Sequence, residues 1–70
     1  MKIKLDNTDM GLLNSAGIKF EPEKEYSDDE AFDLLDRVYD REVFFVQGGD
    51  SRKAAAYANL ADKIQEQIPD

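Results

Sequence analysis

Four aspartates, Asp29, Asp33, Asp36 and Asp40, follow one another at spacings of 4, 3 and 4 residues, the interval at which side chains line one face of an α-helix. At a rise of about 1.5 Å per residue such a row runs about 16 Å. Its carboxylates would stand about 5–6 Å apart, close to the spacing of phosphates along a nucleic-acid strand. The chemistry of such a row is electrostatic recognition: a rigid line of anions that occupies the basic groove of a DNA-binding protein in place of DNA. The competing reading is a solvated outer face. Amphipathic helices carry charge on that side, and Asp33 with Arg37 forms an i,i+4 pair that neutralises part of the row.

The row is the ordered part of a larger charge block. Between Glu21 and Glu42 ten carboxylates face three cations, Lys24, Arg37 and Arg41, a balance of −7 that equals the formal net charge of the 70-residue chain. Residues 1–20 come to +1 and residues 43–70 to −1. A field so concentrated draws cationic partners and repels nucleic acid and anionic membrane. The expected partner is therefore a protein, of which a basic DNA-binding protein is one kind. Direct nucleic-acid binding and membrane binding are not expected.

Other chemistries are poorly supplied. A calcium loop needs oxygen ligands at alternate positions around a glycine turn, D-x-[DN]-x-[DN]-G, and no such string occurs. Acids along a rigid helix do not converge on one ion, so neither a metal nor another cofactor is expected. Gly48-Gly49-Asp50-Ser51-Arg52-Lys53 leads glycines into a helix start beside two cations, as a phosphate cradle does. The Walker spacing is missing, however, and Asp50 would oppose an anion. A turn that ends one helix and starts the next needs the same residues. The chain has no His and no Cys, which removes the common general base near neutral pH and the thiolate nucleophile. The sequence predicts a protein that is not an enzyme.

Seventy residues predict one domain, 1–70, with a small core, and without Cys no disulfide can supplement it. The longest apolar run, Val43 to Val46, is far below the roughly 18 residues of a membrane span. Met1-Lys2-Ile3-Lys4-Leu5 lacks the apolar region of a signal peptide. A cytoplasmic location is the expectation.

The elements that would position the acids follow from periodicity and caps. Lys2 to Leu5 alternates as a short strand. Asp6 then caps a helix through the Asp9 N–H, and Gly17 stops it, with Ile18 placed to pack back on Leu13. Ile18-Lys19-Phe20 alternates again, and Pro22 forces Glu21 out of helical geometry, so a two-stranded β-hairpin of these segments is expected. Ser27-Asp28-Asp29-Glu30 is a capping box. The helix it opens, 28–47, would bury Phe32, Leu35, Tyr39, Val43 and Val46, with Leu34, Val38 and Phe45 widening the face. Val and Phe also favour a strand over 42–47, which is the alternative there.

Gly48-Gly49 ends that helix and Asp50 or Ser51 caps the next, 52–68, which turns Tyr57, Leu60, Ala61, Ile64 and Ile68 inward before Pro69 closes it. The predicted fold class is mainly α: an antiparallel helical hairpin, about 28–47 and 52–68, with a small N-terminal unit of one short helix and the β-hairpin. Phe44 lies opposite the predicted stripe and is a candidate anchor for a partner or for a second copy of the chain. The other reading is that the N-terminal unit covers it.

Leu12-Leu13-Asn14-Ser15-Ala16-Gly17-Ile18-Lys19-Phe20, followed by Tyr26-Ser27-Asp28-Asp29-Glu30-Ala31 and Leu34-Leu35, resembles small acidic proteins of unknown function carried on prophages and integrative elements of Gram-positive bacteria. The resemblance covers over half the chain and includes no catalytic motif. It implies an accessory protein of a mobile element, a setting in which small acidic proteins sometimes inhibit host defence enzymes by mimicking DNA. It transfers no functional residue. The expected function is that of a non-enzymatic protein-interaction module acting through Asp29, Asp33, Asp36, Asp40 and Phe44. The alternative is a structural homodimer, formed through the helical hairpin by Tyr57, Leu60, Ile64 and Phe44, with no heterologous ligand.

Overall fold

Helices begin wherever the sequence places a side-chain acceptor three residues before a free backbone N–H. In the computed structural model, which describes residues 1–69, α1 spans Asn7–Ser15, α2 Asp28–Gln47 and α3 Ser51–Gln67. Asp6 Oδ1 accepts from the Asp9 N–H at 2.8 Å and Asp9 Oδ2 accepts from the Asp6 N–H at 3.1 Å. Ser27 and Glu30 repeat that reciprocal box at 3.2 and 3.1 Å, and Asp50 Oδ1 accepts from the Lys53 N–H at 3.1 Å. Each cap satisfies an orphan donor and contributes about 1 kcal/mol.

Two glycines end the first two helices in left-handed geometry, Gly17 at φ 72° and Gly49 at φ 79°. The following residue then reaches back across the last turn: the Ile18 N–H donates to the Leu13 carbonyl and the Asp50 N–H to the Phe45 carbonyl, both at 2.9 Å, the Schellman closure. Asp50 closes α2 with its main chain and opens α3 with its side chain. That double use explains why Gly48 to Asp50 suffices to reverse the chain.

α2 and α3 pack along one another as an antiparallel hairpin. Phe45 stacks on Tyr57 with centroids 5.5 Å apart, and the Tyr39 hydroxyl meets Gln65 Oε1 at 3.0 Å. One apolar cluster joins Leu34, Leu35 and Val38 of α2 to Tyr57, Leu60 and Ile64 of α3 and to Ile3, Leu13, Ile18 and Tyr26 of the N-terminal part. Polar ties hold α1 on the same side of the hairpin. Tyr57 donates to the Leu12 carbonyl at 2.7 Å, and Lys63 Nζ reaches Asp9 Oδ2 at 2.6 Å and Asp6 Oδ2 at 3.3 Å. The two carboxylates raise the Lys63 pKa, with Asp9 the larger cause, while the Asp9 backbone N–H and then Lys63 lower that of Asp6.

One expectation holds and two change. Residues 42–47 are helical, as the end of α2, so the strand alternative falls. The β-hairpin does not form, and there is no strand among the described residues. Residues 1–5 find other partners: Met1 exchanges backbone hydrogen bonds with Tyr26 at 2.6 and 2.8 Å. The Gln67 side-chain amide both accepts from the Lys4 N–H at 2.7 Å and donates to the Lys4 carbonyl at 2.9 Å. A side chain thus supplies at Lys4 what residues 18–20 were expected to supply, while Ile18 turns in beside Leu13.

The buried line of α2 also differs. Phe32, Val43 and Val46 are 48, 52 and 59% exposed, whereas Ala31, Leu34, Leu35 and Val38 are buried. Ala31 lets α2 present a line rotated from the one its larger apolar residues trace, since a small residue permits close approach on that side.

Candidate functional site

The segment from Ala16 to Tyr26 runs beside the outer flank of α2 and leaves two shallow clefts. The first, about 510 Å³, lies between Lys19, Glu21, Lys24 and Tyr26 on one wall and Asp29, Glu30, Asp33, Leu34 and Arg37 on the other. The second, about 430 Å³, lies between Ala16, Gly17 and Ile18 and the α2 residues Arg37, Asp40, Arg41 and Phe44. Arg37 lines both, so the clefts follow one another along α2 on either side of a guanidinium. Of the residues singled out from sequence, Asp29 and Asp33 border the first cleft and Asp40 and Phe44 the second. Asp36 borders neither. The row legible in the sequence is therefore divided in space.

Ion pairs occupy part of the first cleft. Lys24 Nζ sits 2.6 Å from Glu30 Oε2 and 5.0 Å from the centre of the Tyr26 ring. Tyr26 stacks on Phe20 at 5.7 Å, and its hydroxyl accepts from the Glu21 N–H at 3.0 Å. The Lys24 ammonium, with the Ser27 N–H in support, holds the Glu30 carboxyl down to about 2, and Glu30 in turn raises Lys24. Asp33 Oδ2 meets Arg37 Nε at 3.2 Å. Asp29, Asp36 and Asp40 enter no ion pair among the described residues. All three are exposed.

Phe44 is 58% exposed. It meets Phe45 edge-on at 5.2 Å, and the Arg41 guanidinium lies 5.2 Å from its ring centre. Arg41 Nη2 also donates to the Ala16 carbonyl at 3.1 Å, which ties the C-terminal end of α1 to α2. The N-terminal unit therefore flanks Phe44 without covering it. The other aromatic and aliphatic residues expected to pair two copies, Tyr57, Leu60 and Ile64, are 3, 1 and 0% exposed. They are used inside the hairpin.

Sequence reasoning missed Arg37 as the residue common to both clefts and Tyr26 as a wall. The one local signal was the i,i+4 spacing of Asp33 and Arg37, and that spacing says nothing about the approach of residues 16–26. No three carboxylates gather as a metal-binding group among the described residues. No described helix is long and apolar enough to cross a membrane. Compared with known proteins, the chain matches no family model, no curated protein and no solved structure.

Proposed function

We propose that this chain is a non-enzymatic interaction module that engages a cationic protein surface through the flank of α2 facing residues 16–26. The observation that carries the reading is the succession Asp29, Asp33, Asp40 and Phe44 along the two clefts: free or exposed carboxylates ending on an exposed aromatic ring. Carboxylates give attraction and register, and an aromatic ring at the end of the row adds an anchor that desolvates on contact. The partner in this reading is a basic DNA-binding protein, and inhibition of a host defence nuclease by a mobile-element accessory protein is its most specific form.

Two measurements test it. Binding to a basic DNA-binding protein is expected to weaken steeply with salt, and the combined Asp29→Asn, Asp33→Asn and Asp40→Asn variant, which spares Asp36, is expected to lose at least about tenfold in affinity. Unchanged affinity of the triple variant would show that the row takes no part. For the inhibitor form, restriction and nuclease assays with added protein should show salt-sensitive inhibition. Full activity across several enzymes would sink that form.

A further inference from the structure

The side of the hairpin away from α1 carries a second surface. On α2, Phe32, Asp36, Tyr39, Val43 and Val46 follow at spacings of 4, 3, 4 and 3, the a/d repeat of a helix seam. Phe32, Val43 and Val46 are about half exposed or more. On α3, Ser51, Ala55, Ala58, Asp62 and Gln65 keep the same spacings, and all are exposed or half-buried. The Tyr39 to Gln65 contact at 3.0 Å joins the two seams. The polar contacts that tie the N-terminal part to the hairpin, at Glu30, Arg41, Tyr57, Lys63 and Gln67, use none of these ten positions. The open face thus carries large, half-exposed apolar residues on α2 and Ala55 and Ala58 on α3, with Asp36, Ser51, Asp62 and Gln65 among them.

Charge selects what fits it. The charged members of the seams are two carboxylates, Asp36 and Asp62, with no cation among the ten positions. Two copies pairing through α2 in parallel would set Asp36 against its own counterpart. Paired antiparallel about Tyr39, they would set Asp36 against Glu42. Either arrangement buries like charges or an unpaired carboxylate, which is costly. An occupant with Lys or Arg at those levels turns the same two carboxylates into pairing sites.

We infer that this face docks a cationic amphipathic α-helix of another polypeptide. Its apolar residues, spaced 3 and 4 apart, would cover Phe32, Val43 and Val46, and its Lys or Arg side chains would meet Asp36 and Asp62. From Phe32 to Val46 the seam is about 21 Å long, which a helix of about 15–20 residues spans. This surface is separate from the clefts proposed above, and Asp36, which borders neither cleft, belongs to it.

The probe is a synthetic helix of about 18 residues, leucine at seam positions and lysine or arginine flanking them. Its controls are a shuffled peptide of the same composition and a version with glutamate for each cation. The ordered cationic peptide is expected to bind at least about tenfold more tightly than either control. Val43→Asp combined with Val46→Asp changes only exposed side chains and is expected to reduce that binding at least about tenfold. Asp29→Asn with Asp33→Asn, on the other flank, should change it less than about threefold. Amide NMR shifts on the unaltered protein give a readout independent of any variant: they should gather on the outer side of α2 and on Ala55 and Ala58. Equal binding of the shuffled peptide, or shifts along residues 16–26 instead, would overturn the inference. So would a dimer in sedimentation that Val43→Asp disperses, because a second copy would then be the occupant.

Discussion

Tyr57→Phe tests how α1 is held on the hairpin, because it removes one hydroxyl and leaves the ring. The hydroxyl donates to the Leu12 carbonyl at 2.7 Å from a side chain that is 3% exposed. A neutral hydrogen bond contributes about 0.5–1.5 kcal/mol net, and a buried partner left unpaired adds about 1–3 kcal/mol. The second cost does not arise here: the Leu12 carbonyl still accepts from the Ala16 N–H at 3.1 Å. Stacking on Phe45 at 5.5 Å also survives. The expected loss is therefore about 1 kcal/mol, or about 4–8 °C in Tm for a domain of this size. Tyr57→Leu removes the ring as well and should cost about 1–2 kcal/mol more, from lost stacking and imperfect filling of the space. Urea unfolding followed by circular dichroism measures both, with the m-value as a check that unfolding still exposes the same surface. A Tyr57→Phe loss below about 0.3 kcal/mol would mean that the bond does not hold α1, and one above about 3 kcal/mol would mean that the Leu12 carbonyl is orphaned after all. Burial also pushes the Tyr57 phenol above its ordinary value, so the Tyr57→Phe protein should lose, from an ultraviolet titration, a tyrosine that ionises above the ordinary range.

Two further outcomes are expected. The folded Glu30 carboxyl titrates at about 2 against an ordinary 4.5, so its charged form favours the native state. The stabilisation is complete above that ordinary value and fades as pH falls toward the folded one. Glu30→Gln should therefore melt below the unaltered protein at neutral pH, with the two Tm curves converging on acidification; parallel curves would count against the Lys24 pairing. Gln67→Ala takes away both partners of the Lys4 backbone, and since the contacts are exposed, water replaces much of their energy. Thermal stability should fall by less than about 1 kcal/mol, while the Lys4 amide exchanges faster with solvent. An unchanged Lys4 exchange rate would rule out the Gln67 contact in solution.

Local chemistry was the legible part of this fold. Asp6, Ser27 and Asp50 cap where their spacing to the next free N–H requires, and Gly17 and Gly49 end helices where a left-handed residue is needed. Those features depend on a few neighbouring residues. What failed depends on partners far away in sequence. Whether Lys2 to Leu5 meets another strand or a glutamine amide is decided by Gln67, more than sixty residues later. No period in the first twenty residues carries that information. The inner face of α2 was misread for a related reason. Its large apolar residues trace two adjoining stripes, and the choice between them was made by Ala31 and by what α3 and the N-terminal part could approach. The acidic row was legible as a row, but its division between a groove and a seam was not, because the approach of residues 16–26 leaves no mark in α2 itself.

The acids of residues 21–42 have unequal structural roles. Glu23, Glu25, Glu30 and Asp33 lie in ion pairs with Lys2, the N-terminal amine, Lys24 and Arg37. Asp28 and Asp29 stand in the first turn of α2, where the helix dipole favours negative charge. Asp36 and Asp40 have neither support. They lie four residues apart on one helix, a like-charge arrangement that costs a few tenths of a kcal/mol, and no cation meets either among the described residues. A mid-helix pair that opposes its own helix is a place where local rules give way, as they do at functional sites. Asp36 faces the open side of the hairpin and Asp40 the groove beside Phe44, so one stretch of α2 carries an unsupported charge to each of the two surfaces proposed to receive a partner.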